Sequence, residues 1–140
     1  MSDSVDFALH PQLQKDCQVV GNLPLCALLL MRDANYPWLV LVPRRAAVRE
    51  WYELSETDQQ QLLQETNRLA KFLQQHTQAK KMNIGALGNM VPQLHVHVIA
   101  RFEQDAAWPA PVWGKVAAQP YDDAALQNRL TLVRQFLADF

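Results

Sequence analysis

Residues 93–97 read Gln-Leu-His-Val-His. Gln93, His95 and His97 fall at every second position, with Leu94, Val96 and Val98 between and after them. A strand of period two sends these sets to opposite faces and spaces like-facing side chains roughly 7 Å apart. The predicted result is a carboxamide and two imidazoles in one shallow row above a buried β-branched face. Imidazole changes charge near neutral pH and serves as nucleophile, base or metal ligand. Three uses follow: a half-exposed face without chemistry, a metal pair, or a nucleophile at phosphorus.

The metal use would join His95 and His97 with Glu103, as in cupin-type barrels. Such barrels need many short strands and many turn glycines, whereas this chain has four glycines. Attack at phosphorus needs a neutral nitrogen aimed outward, its partner nitrogen tied down, and donors around the charge that develops. Asn83, Gly85, Gly88 and Asn89 precede the row and offer amide and loop N–H donors. His10 and His76 carry no spacing signal, and His76 suits the negative end of a helix.

The whole chain sets bounds on these uses. Its 140 residues predict one domain, 1–140, and 49% hydrophobic residues supply a core. A net charge of −1 without a basic block argues against a nucleic-acid partner but leaves room for a small phosphorylated ligand. Cys17 and Cys26 form no CxxC pair and read as reduced thiols of a cytoplasmic protein. The stretch from Met1 to Phe7 lacks a basic start and an apolar run, so no signal peptide is predicted. Leu25–Met31 is the longest apolar run, too short to span a bilayer, which predicts no membrane partner.

The elements that must position the row follow from pattern. Pro11 starts a short helix to Asp16. Val19, Val20 and Gly21 lead to a strand over Leu25–Met31. A turn over residues 32–37 and a second strand over Trp38–Val42 complete an antiparallel hairpin that Pro43 ends. Ser55 caps a helix from about Glu56 to Gln78, with Leu62, Thr66, Leu69 and Leu73 as its stripe. Met82–Asn89 is a strand entering a glycine-containing loop. Residues 108–114 read as an extended, partly polyproline loop anchored by Trp108 and Trp113. A second amphipathic helix runs from about Asp122 to Phe140. Four or five strands and two main helices, without strict βαβ alternation, make an α+β fold with a mostly antiparallel sheet.

The stretch Gly88–Arg101 resembles the signature of the histidine triad (HIT) superfamily, His-φ-His-φ-His-φ-φ with φ apolar, after a polar loop. The hairpin ending Leu-Val-Leu-Val-Pro-Arg-Arg, the long helix and the Asn83-Ile84-Gly85 strand come in the family's order. The likeness covers about residues 20–105, leaving a loop and helix over 106–140. It implies a HIT-like sheet of about five strands with one long central helix and a C-terminal helix. It also implies a homodimer with two sheets side by side. The implied activity is nucleotidyl hydrolysis or transfer on diadenosine polyphosphates or nucleoside phosphoramidates, through a nucleotidyl-histidine. No cofactor or resident metal is implied, and magnesium enters only with substrate.

By position, His95 is the implied nucleophile, and His97 helps to bind the phosphate or move a proton. Asn83 and Asn89 fall where the family keeps phosphate contacts, and Asp33 and Asn35 where it binds ribose, though turn chemistry also accounts for the last two. Gln93 replaces the first triad histidine; a carboxamide still donates a hydrogen bond to phosphate but does not titrate. Met90 replaces a hydroxyl residue, and Trp38 stands where many members keep a further histidine. These departures support the alternative of a nucleotide-binding or sensing module without turnover.

Overall fold

The computed structural model describes residues 6–140. The stretch Met1–Val5, part of the reading for a signal peptide, lies outside the described residues. The elements run α1 (Pro11–Asp16), β1 (Cys17–Asn22), β2 (Cys26–Met31), β3 (Trp38–Pro43), α2 (Glu56–Thr77), β4 (Lys81–Gly85), β5 (Val96–Arg101) and α3 (Asp123–Asp139). The five strands form one antiparallel sheet in the order β1-β2-β3-β5-β4. The α+β architecture expected from sequence is the one observed. No helix among the described residues is long and apolar enough to cross a membrane.

The central strands are buried on both faces, which explains their unbroken apolar runs. Leu28, Leu30, Leu39, Leu41, Val96 and Val98 point toward α2 and α3. Ala27, Leu29, Val40, Val42 and Ile99 point the other way, beneath α1 and the loop after β5. His97 shares this second face, two residues from Ile99. The predicted shallow row is therefore covered, with His95 and His97 only 7% and 4% exposed.

Ser55 caps α2 by accepting from the Asp58 N–H, and Gln78 ends it in the left-handed region at φ 58°. Glu65 lies inside the stripe of α2 and is fully buried. Its two oxygens accept the N–H groups of Leu25 and Cys26, tying the helix to the start of β2. β1, expected only as a lead-in, is a paired strand with a register shift between Val19 and Gly21. A Cβ on Gly21 would lie 2.7 Å from a Leu137 methyl, so the bare backbone lets α3 dock there.

Candidate active site

The nucleophile candidate sits just before β5, not within a strand beginning at residue 93. The loop from β4 to β5 turns at Gly88, φ 74°, and the Leu94 N–H bonds the Val48 carbonyl. His95 Nδ1 lies 2.7 Å from the Gln93 carbonyl oxygen. A carbonyl only accepts, so Nδ1 carries a proton, and in the neutral ring Nε2 holds the lone pair. A tied-down Nδ1 and an available Nε2 are what an imidazole nucleophile requires.

His97 has the opposite arrangement. β5 pairs it with Val40 of β3 and Gly85 of β4. The Trp38 indole N–H donates to His97 Nδ1 at 3.0 Å. Indole only donates, so this Nδ1 holds a lone pair and neutral His97 carries its proton on Nε2. Burial, and then the nearby His95, push the His97 pKa down to about 4. The two rings meet edge to face with centroids 4.9 Å apart. One offers a lone pair and the other a proton.

Both rings line a cleft of about 430 Å³ together with Asn89, Gly88, Asp16 and Trp113. An adjoining cleft of about 440 Å³ shares Asp16, Met31, Trp38 and Trp113 as walls and adds Lys15, Arg32 and Asp33. The structure thus gathers His95, His97 and Asn89 in one cleft and Asp33 in its neighbour. It places the other expected residues elsewhere. The Gln93 amide donates to the Ala8 carbonyl and accepts from the His10 N–H, each at 2.9 Å, and does not line the cleft. Its expected phosphate contact is corrected on that ground: both ends of the carboxamide hold the N-terminal segment. Asn83 accepts from Arg101 at 2.7 Å, and Asn35 donates to the Ala117 carbonyl. Asp33 Oδ1 accepts from the Asn35 and Gln119 N–H groups, as turn chemistry predicts.

Arg101 lines neither cleft. It is 2% exposed and pairs through two nitrogens with Asp105, whose side chain is 3% exposed. Burial alone would raise the Asp105 carboxyl. Arg101 and the N–H groups of Phe102, Ala107 and Trp108 outweigh burial and hold it at about 2. Arg101 also donates to the Ala110 carbonyl. The loop expected to be extended is instead a succession of turns wound on this pair. It brings Trp113 to 5.3 Å from the His97 ring. Sequence reasoning missed Asp105, and it noted Trp38 only as standing in place of a further histidine, without its bond to His97. The only signals were the four-residue spacing of Arg101 and Asp105 and the even spacing of Trp38 from Val40.

A protein-family model described as HIT domain matches residues 12–104. A histidine triad protein from Bradyrhizobium japonicum is 47% identical, with a TM-score of 0.91 over 92% of this chain and 96% of that one. A histidine triad protein from Sinorhizobium meliloti is 46% identical, with a TM-score of 0.90 over 93% and 96%. One from Marinobacter aquaeolei is 43% identical, with a TM-score of 0.92 over 95% and 97%. No curated protein matches the chain.

Proposed function

The chain belongs to the HIT domain family, and on that premise we propose that it is a nucleotidyl hydrolase or transferase working through His95. The observation that carries this reading is the pair of opposite tautomers in one cleft. His95 Nε2 attacks the α-phosphorus of a nucleoside phosphate derivative. The bond from phosphorus to the leaving group breaks, and that group leaves with the electron pair and takes a proton from solvent. His97 Nε2–H and Asn89 hold the phosphoryl oxygens as charge develops on them. Water then attacks phosphorus and gives up a proton to solvent, and His95 departs as the free imidazole. Asp33 stands in the neighbouring cleft, where a ribose hydroxyl would meet its carboxylate. The family's side-by-side dimer would extend the sheet at one of its two outer strands, β1 or β4.

The test is incubation with diadenosine polyphosphates and an adenosine phosphoramidate. AMP release and an acid-quenched adduct one AMP moiety heavier are expected, and both vanish in His95→Ala. Turnover that survives this substitution overturns the mechanism. A binding module is the second reading, favoured by the engagement of Gln93 away from the cleft, which leaves no titrating group at that position. AMP binding without turnover on any of these substrates would establish it.

A further inference from the structure

Trp38 lies on β3, 7% exposed, with its ring 5.7 Å from that of His97. Its N–H meets His97 Nδ1 at 3.0 Å in a buried contact. A donor facing Nδ1 forbids a proton there, because two N–H groups would then oppose each other without an acceptor. We infer that Trp38 is a positioning residue that locks His97 as the Nε2–H tautomer, so that His97 presents a proton to the cleft across the neutral range. The lock makes His97 specific for acceptors: an anionic phosphoryl oxygen fits, whereas a ligand ammonium or amide N–H does not. The role at phosphorus rests on the reading above, but the tautomer lock stands without it.

The groups around His97 add no competing charge relay. β3 brings Trp38, β4 brings Gly85 and the loop brings Trp113, none of which titrates near neutral pH. The titratable groups on the cleft wall are His95 and Asp16. His95 Nδ1 is already held by the Gln93 carbonyl. The depressed pKa of His97 agrees with a ring kept neutral.

Nitrogen-15 NMR of histidine-labelled protein tests the lock. In the unaltered protein, His97 Nδ1 should show the unprotonated shift and Nε2 the protonated shift from mildly acidic to mildly alkaline pH. In Trp38→Phe, Nδ1 loses its donor. The tautomers should then mix, and the protonated fraction near pH 6 should rise about tenfold, one pKa unit. AMP release by that variant should gain a pH-dependent limb on the acid side. A protonated Nδ1 in the unaltered protein overturns the inference, with no variant needed. So does a Trp38→Phe protein whose His97 tautomer and titration are unchanged. The expected spectra with no turnover on any nucleotide would uphold the lock and defeat the enzymatic reading.

Discussion

Replacing Gln93 by histidine would complete the triad in sequence, and its effect separates two views of that position. If position 93 carried a proton in the reaction, the substitution would speed turnover. The structure points the other way. The Gln93 amide both donates to Ala8 and accepts from His10. One imidazole cannot span both partners in the same geometry. Gln93 is half-buried, so water competes, and each lost bond is worth about 0.5–1 kcal/mol. The loss of one or both therefore costs about 0.5–2 kcal/mol, a fall of roughly 2–8 °C in melting temperature for a chain of this size. Thermal denaturation followed by circular dichroism measures the first quantity, and AMP release from an adenosine phosphoramidate the second. A lower melting temperature with no gain in rate is expected. A gain of about tenfold or more, equal to about 1.4 kcal/mol of barrier, would refute the assignment of Gln93 to the N-terminal segment alone.

Two other perturbations have signs that follow from the site. Asp105→Ala leaves the buried Arg101 guanidinium without its carboxylate and should cost about 3–5 kcal/mol in urea denaturation. Arg101→Met combined with Asp105→Leu should recover part of that loss, since it removes both charges together. The second concerns acid. His97 titrates near 4 when folded against an ordinary 6.5, so between these values the unfolded chain binds the proton first. Stability should hold above 6.5 and fall as pH drops toward 4, by roughly 3 kcal/mol in all. Asp105, held at about 2, keeps its ion pair through this window. Urea midpoints across the window check the slope, and His97→Gln should flatten it.

Local signals made most of the frame legible. Pro11 and Asp16 bound α1 as expected, and the Ser55 cap and leucine stripe place α2 within a residue. β1 was harder to see because Gly21 and a register shift interrupt its pattern. The covering of the histidine row was not legible, since it depends on α1 and on a loop folded about Arg101 and Asp105. Glu65 was hidden because its partners at Leu25 and Cys26 lie about forty positions away and are backbone groups of no particular residue type. The position of the proposed nucleophile follows from the motif. The environment that sets each tautomer could not, because Trp38 stands 59 positions from His97 and Gln93 acts on His95 through its carbonyl.

The Trp38 contact also bears on metal chemistry. Two histidines two residues apart are a common start for a transition-metal site, because both can turn a lone pair toward one ion. Here only His95 has one to turn. The lone pair of His97 is directed at an indole N–H. A zinc or copper ion would have to displace the proton on Nε2 and force Nδ1 to face the indole as a second donor. Among the described residues, no cluster of three or more metal-ligating side chains adds to the pair. A single tryptophan thus makes a two-histidine face poorly suited to chelation while leaving it suited to an anionic oxygen.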